Sequence, residues 1–288
     1  MPSTEVQGGA QSGFAGFDAG AAAGQHVQSE PRMIHWLRDA RDPMPDTRHA
    51  LPTHSEAPGL LAAGGSLDPA RLAEAYSKGV FPWYSAGQPV LWWSPDPRMV
   101  LWTDDFKLSR SLRKTVAKFT RSHGCEIRID SAFDEVIAAC AGSPREGQDG
   151  TWILPEMVAA YRRWHAQGAV HSVETWIDGE LAGGLYGVGI GRMFFGESMF
   201  SRRTDASKIA LAALVCFGRE HGIDLIDCQQ RTVHLGSMGG RELPRNVFEA
   251  AIAERIQAPP VTAWSYHQRL WAHLAVRPAS ASPDEGRS

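Results

Sequence analysis

The chain has 288 residues, of which 43% are hydrophobic and 21% charged, with a formal net charge of -3. That length and balance suit one large or two modest globular units and exclude disorder throughout. The small negative charge excludes a molecule that is positive all round, so a nucleic-acid partner would have to be held by a local basic patch.

In chain order, residues 1–31 are rich in Gly, Ala, Gln and Ser and read as a disordered tail. Asp68-Pro69 opens a helix with Leu72, Ala75 and Tyr76 on one face and Gly79 beyond its end, so an N-cap, a proline at N1 and a C-terminal glycine agree. The stretch FPWYSAGQPVLWWSPDPRMVLW is too rich in proline and aromatics for helix and reads as short strands and turns. A small domain over 32–97 is expected to end there, with a larger one over 98–275 and a second disordered tail over 276–288.

The next segment, LSRSLRKTVAKFTR, sets Leu108, Leu112, Val116 and Phe119 on one helical stripe and Arg110, Lys114, Lys118 and Arg121 on another. No acid interrupts the run from Lys107 to Arg121, although Asp104 and Asp105 stand just before it. Two more helices follow, one ending at Gly142 and one running from Pro155 to Gly168. The period then changes to two: HSVETWIDGELAGGLYGVGIGRMFFGESMF predicts a three-strand meander with a turn at Asp178-Gly179. A long helix from Asp205 to His221, the apolar strand IDLIDCQ and a last helix from Pro244 complete the pattern. The fold class is α+β: a small N-terminal α/β domain plus a larger domain whose mostly antiparallel sheet is covered by helices, an order shared with GNAT acyltransferases.

Cys125, Cys140, Cys216 and Cys228 lie far apart without C-x-x-C spacing, which predicts buried free thiols in a reducing compartment. No basic leader precedes an apolar run, and no stretch approaches the roughly 18 apolar residues of a membrane span, so a cytoplasmic protein without membrane contact is expected. His171, His221 and His234 have no partners at metal-ligand spacing and read as structural histidines. The glycines from Gly183 to Gly191 lie between strands and open no helix, so they are not a dinucleotide loop.

Asp227 and Gln229 stand two apart on an expected strand and so leave the same face, with Cys228 pointing the other way. The pair can meet one substrate; equally, it can cap a turn and satisfy buried backbone groups. Glu197 lies among Phe194, Phe195, Met199 and Phe200, where a buried carboxylate needs a cationic or donor partner. Arg202 and Arg203 are near enough in sequence to supply a salt bridge.

Four stretches together, FPWYS with LWWSPDPR, GTWI, GGLYGV to GESMFSR, and LIDCQ with HLGSMGGRELPR, resemble the leucyl/phenylalanyl-tRNA–protein transferase family over residues 57–248. The resemblance implies a GNAT-like C-terminal domain and transfer of Leu, Phe or Met from aminoacyl-tRNA to the N-terminal Arg or Lys of a protein, which marks it for degradation. It implies that Gln229 accepts a hydrogen bond from the attacking amine beside Asp227, and that Glu197 lies near the donor's ammonium group. It carries over Trp83, Trp152, Leu185, Phe194, Met199, Leu214 and Ile226 as the donor pocket, and Arg110, Lys114 and Lys118 as the grip on the tRNA. The ester is already activated, so no cofactor or metal is expected. Leu185 stands where the family commonly has Met, Ala117 where it has a base, and Val233 where it has an acid. An acetyl-CoA enzyme would need a pyrophosphate loop that FSRRTDAS, before the Asp205 helix, lacks. A non-catalytic RNA-binding module would leave Glu197, Asp227 and Gln229 without a task.

Overall fold

The computed structural model describes residues 34–39, 41–143 and 153–275; Trp152 and both expected tails lie outside the described residues. Two sheets form. The first has the order β1-β2-β4-β3, from His35–Leu37, Leu60–Gly64, Leu91–Trp93 and Phe81–Pro82 respectively, with β1 and β2 parallel and the other pairs antiparallel. Helix α1 (Pro69–Ser77) connects β2 to β3 and buries Leu72, Ala75 and Tyr76 on the face expected from their spacing. Its end is marked by Gly79 at φ 72°. Asp68 occupies the N-cap without capping, because its carboxylate takes the Ser66 hydroxyl at 2.5 Å instead.

Between Trp93 and Arg98 the chain passes into the second sheet, seven strands in the order β11-β5-β10-β9-β8-β7-β6. These are Arg241–Leu243, Arg98–Trp102, Leu225–Gln229, Met193–Ser201, Glu180–Ile190, Val170–Ile177 and Cys125–Ile129. Only β9 and β10 pair in parallel; every other pair is antiparallel. The expected meander is β7-β8-β9, and its first turn puts Asp178 at φ 55° and Gly179 at φ 78°, the two left-handed residues a tight hairpin requires.

Side-chain alternation divides the core between the faces of this sheet. Val100, Tyr186, Phe195 and Leu225 join α1, α3 (Phe133–Gly142), α4 (Pro155–His165) and α7 (Arg245–Gln257) on one face. Their neighbours Leu101, Leu185, Phe194 and Ile226 join α2 (Arg110–Phe119), α5 (Ala206–His221) and a 3-10 segment, Gln268–Leu274, on the other. Helix α5 is buried along most of its length, as its apolar sequence requires. Helix α4 stops at His165 and a further turn reaches Gly168 at φ 78°, so the helix ends short of the glycine expected to stop it. The short strands β1, β2, β6 and β11 and the one-turn helix α6 (Val233–Ser237) have no counterpart among the sequence-based expectations.

Three irregularities interrupt the ladders of the larger sheet; one, between Thr175 and Trp176 on β7, leaves Ala182 extra on β8, and the other two lie at the cleft. Tyr186 pairs with Ser198 and Gly187 with Gly196, so Glu197 is an extra residue on β9. Val100 pairs with Asp227 and Met99 with Gln229, so Cys228 is an extra residue on β10. Such bulges bend a strand and re-aim its side chains. The β9–β10 ladder runs only to the Asp227–Phe195 pair, while β9 continues along β8 to Ser201. The two parallel strands therefore part at the level of the bulges, and a cleft opens in the sheet.

Gly187 permits the bulge on β9, because a Cβ there would fall inside contact distance of the Phe195 carbonyl oxygen and 2.5 Å from Phe194 Cε1. Gly187→Ala is expected to cost about 1–3 kcal/mol in urea unfolding. Gly142→Ala, where a Cβ meets nothing within 4 Å, should leave stability unchanged or slightly raised. Equal stability of the two variants would show that this packing does not constrain the bulge.

Candidate active site

The cleft holds a cavity of about 410 Å³. Trp83, Leu185, Phe194, Met199, Leu214 and Ile226 line it, as do Glu197, Asp227 and Gln229. Nine of the ten residues assigned to the catalytic and donor sites thus converge on one space, and the tenth, Trp152, lies outside the described residues. The walls come from β8, β9, β10 and α5, the loop that holds Trp83, and the segment after Gln229.

Asp227 is wholly buried and paired with an arginine that is 1% exposed. Arg98 Nε donates to Asp227 Oδ1 at 2.8 Å, its Nη2 to Oδ2 at 2.6 Å, and its Nη1 to the Gly79 carbonyl at 3.0 Å. The guanidinium lies between the rings of Phe81 and Phe248, 4.7 Å from each centroid. Asp227 Oδ1 also accepts the Gln229 N–H at 2.8 Å. That bond holds Gln229 at φ 60°, a left-handed conformation a non-glycine residue adopts at a cost of about 1–2 kcal/mol. The plain alternation expected of Asp227, Cys228 and Gln229 is thus replaced by a bulge, and all three contribute to the cavity wall. Asp227 spends its oxygens on Arg98 and on the backbone, so it acts by placing Gln229.

Gln229 Nε2 donates to Glu197 Oε1 at 2.8 Å. The amide carbonyl oxygen has no hydrogen-bond partner among the described residues and is the acceptor that Gln229 can offer to the cavity. Glu197 finds donors and not a cation: Tyr76 lies 2.6 Å from its Oε1 and Tyr161 3.0 Å from its Oε2. The nearby arginines are engaged elsewhere, Arg203 with Asp178 and Glu180 and Arg202 with the Leu181 carbonyl. Burial raises the Glu197 carboxyl to about 7, against the stabilising hydrogen bonds of the two phenols. Burial, followed by the Asp227 anion, likewise pushes the Cys228 thiol far up, which keeps it neutral.

Arg98, Tyr76 and Tyr161 are absent from the site residues expected from the sequence, where Tyr76 figures only on the apolar face of a helix. A charged residue opening the apolar strand MVLW was the available signal for Arg98, whereas Tyr76 and Tyr161 sit on buried helical stripes like ordinary core residues. His234 also departs from expectation. It lines the cavity half-buried, its ring bonded to nothing among the described residues, and burial lowers its pKa. Its neighbour Val233 is 87% exposed.

Arg110, Lys114 and Lys118 lie outside the cavity, exposed on α2, where their side chains make no hydrogen bond or ion pair among the described residues. Leu112, Val116 and Phe119 bury the opposite stripe, as the sequence pattern requires. Arg113 and Arg121 turn back onto the carbonyls of Leu274 and Ala117. The basic segment is tied to the wall after Gln229 through the Lys107 N–H, which donates to the Met238 carbonyl at 2.9 Å.

Residues 100–253 match the family model described as leucyl/phenylalanyl-tRNA protein transferase, and residues 65–96 match the model of that transferase's N-terminal domain. The chain belongs to this family. A leucyl/phenylalanyl-tRNA–protein transferase of Methylibium petroleiphilum is 63% identical over 257 residues, which are 88% of this chain and 97% of the relative. One from Leptothrix cholodnii is 59% identical over 254 residues, 87% of this chain and 99% of the relative. Among solved structures, a GCN5-related N-acetyltransferase from Kribbella flavida aligns over 58% of this chain and 57% of its own at 14% identity, with a TM-score of 0.29. The protein is therefore an enzyme, an aminoacyltransferase, and none of the described helices is long and apolar enough to cross a membrane.

Arg98→Met in this transferase strands the buried Asp227 charge and is expected to cost about 3–5 kcal/mol of unfolding free energy. Arg98→Met/Asp227→Leu removes both charges and should recover most of that loss in the same titration. Activity should stay low in the double variant, because Gln229 has lost the acceptor that fixes its backbone. Recovery of transfer along with stability would show that the ion pair serves the fold alone.

Proposed function

We propose that the enzyme moves Leu, Phe or Met from aminoacyl-tRNA to the N-terminal Arg or Lys of a cytoplasmic protein, forming a peptide bond and marking the product for N-degron degradation. The observation that carries this reading is the convergence of an apolar cavity with a free amide oxygen, at Gln229, and a buried carboxyl that pairs with no cation, at Glu197. In this reading residues 32–97 form a smaller unit and 98–275 the transferase unit.

The donor's side chain enters the apolar end, against Phe194, Met199, Leu214 and Ile226, with Leu185 and Trp83 completing the wall and Trp152 assigned to the same pocket. An adaptable thioether and rigid rings accept Leu, Met and Phe with differences of only about 1–3 kcal/mol. Glu197 receives the donor's α-ammonium group. The Gln229 carbonyl accepts an N–H of the incoming amine and so directs the nitrogen lone pair at the ester carbonyl carbon. The new C–N bond forms, the ester C–O bond breaks, and a proton from the amine leaves with the terminal ribose oxygen as its hydroxyl. Gln229 is too weak a base to take that proton, so the gain comes from orientation and fixed dipoles. Arg110, Lys114 and Lys118 contact tRNA phosphates, which makes binding tolerant of sequence and sensitive to salt.

The test is transfer of labelled Phe or Leu from charged tRNA to peptides beginning with Arg, Lys or Ala. Transfer to Arg and Lys is expected, with about a 10²-fold loss of kcat in Gln229→Ala. Binding of tRNA without transfer to any peptide would favour the binding-module alternative.

Replacing Arg110, Lys114 and Lys118 together by Ala should leave kcat intact. It should also flatten the slope of log affinity against log salt by roughly 2 to 3. An unchanged slope would move the tRNA contact off α2.

A further inference from the structure

Three hydrogen-bond contacts close a ring among the side chains of Tyr76, Tyr161 and Glu197. Tyr76 Oη lies 2.6 Å from Glu197 Oε1, Tyr161 Oη lies 3.0 Å from Glu197 Oε2, and the two phenol oxygens are 2.5 Å apart. Each contact needs a hydrogen between its two oxygens. A phenol brings one and a carboxylate none, so an ionised Glu197 leaves two hydrogens to serve three contacts. The Gln229 amide lends nothing to this count, because its N–H serves a separate bond to Oε1 and lies in none of the three contacts. The phenols cannot resolve the shortage by ionising, since that removes a further hydrogen, and burial holds both well above their ordinary range. The count closes when Glu197 is a carboxylic acid: its Oε2 hydroxyl donates to Tyr161, Tyr161 to Tyr76, and Tyr76 to Oε1, which also accepts from Gln229.

We propose that Tyr76 and Tyr161 are positioning residues that hold Glu197 as a protonated acid in the resting enzyme on the acid side of neutrality, and that the donor's ammonium group displaces this proton on binding. The second half rests on the reading of Glu197 as the ammonium partner. In the exchange, the carboxylic acid O–H bond breaks, the proton goes to solvent, and the carboxylate pairs with the unchanged ammonium group. A donor whose α-amine is acylated carries no cation and cannot drive that step, so the ring selects for a free amine.

The surroundings agree. Asp227 on β10 is an anion facing Glu197 and disfavours a second negative charge, and burial acts the same way. Arg98 on β5 favours the carboxylate but is committed to Asp227 through two hydrogen bonds. From β8, Tyr186 packs its ring against Tyr161, centroids 5.7 Å apart. The neighbouring Cys228 is a neutral thiol, and the pKa of His234, also on the cavity wall, is lowered by burial. Tyr76 on α1 and Tyr161 on α4 are the only described groups that form hydrogen bonds to both one another and the acid.

Infrared titration of the ligand-free full chain from about pH 5 to about pH 9 tests the ring without any substrate. The carbonyl band of a protonated carboxylic acid should vanish with a midpoint near about 7 and be missing from Glu197→Gln. In Tyr76→Phe that band should move to higher wavenumber, because the acid carbonyl has lost a donor. Absence of such a band, or its indifference to the tyrosine substitution, would overturn the ring. For the exchange, 3′-phenylalanylamido-adenosine is added in weak buffer near pH 6, where its amine is charged. About one proton should be released per ligand bound, and none by the N-acetylated analogue. Binding of the free amine without proton release overturns the exchange. Failure of 3′-phenylalanylamido-adenosine to bind at all instead sinks the donor reading, and the exchange with it, while the infrared titration still decides the ring.

Discussion

The buried pair of Arg98 and Asp227 is the constraint around which the rest of the transferase is arranged. Two ions this deep recover their hydration only if nearly every lone pair and N–H is used. Here the guanidinium spends itself on both carboxylate oxygens and the Gly79 carbonyl, with a phenyl ring on either side. Those partners come from α1's C-terminal turn, β3, β10 and α7, so one side chain on β5 binds the smaller sheet to the larger. A well-packed hydrophobic pair could match its stability. What such a pair could not do is accept the Gln229 N–H, and that bond puts the strain of a left-handed residue on the cavity wall, at the proposed amine contact.

Two neighbouring strands each carry one residue too many at the level where their ladder ends. Either bulge alone would only deform an edge. Together they turn Glu197 and Gln229 toward each other across the parting of β9 and β10, and the 2.8 Å bond between them spans the cleft. The helices then finish what the sheet begins: α1 and α4 supply the phenols, and α5 supplies Leu214 to the apolar wall. The site is thus built mainly on rigid elements, with the Trp83 loop and the segment after Gln229, a loop and a single helical turn, completing the wall.

The parts legible in the sequence are those governed by short-range pattern. Helix α1 follows from Pro69, Gly79 and a four-residue apolar repeat, the β7–β8 turn from Asp178-Gly179, and the basic face of α2 from a run without acids. The proposed donor pocket is legible only through resemblance, since Leu185 or Ile226 alone looks like any core residue. Bulges are invisible to period counting, because one extra residue changes neither composition nor local propensity; hence Cys228 was set on the wrong rhythm. Arg98 and Asp227 lie 129 positions apart, and Tyr76 and Glu197 lie 121 apart, so no window of sequence holds both halves of either interaction. Strands of three residues, such as β1 and β11, carry too few side chains for any alternation to emerge.

The arrangement also decides which kind of catalysis the cavity can support. Cys228 is the thiol on its wall, and burial beside Asp227 keeps it from ionising, so an acyl-cysteine intermediate has no nucleophile. Asp227 cannot serve as a general base while Arg98 and the Gln229 backbone hold its oxygens. A protonated Glu197 cannot serve either until a cation draws its proton away. What remains at the centre is a neutral amide oxygen fixed by bonds on both sides of its residue. For the proposed transfer from an ester already activated by its ribose hydroxyl, that would suffice: aligning the amine with the carbonyl converts a bimolecular encounter into a bound one, worth up to about 7–11 kcal/mol when the geometry is held. The two bulges and the ion pair are means of holding it.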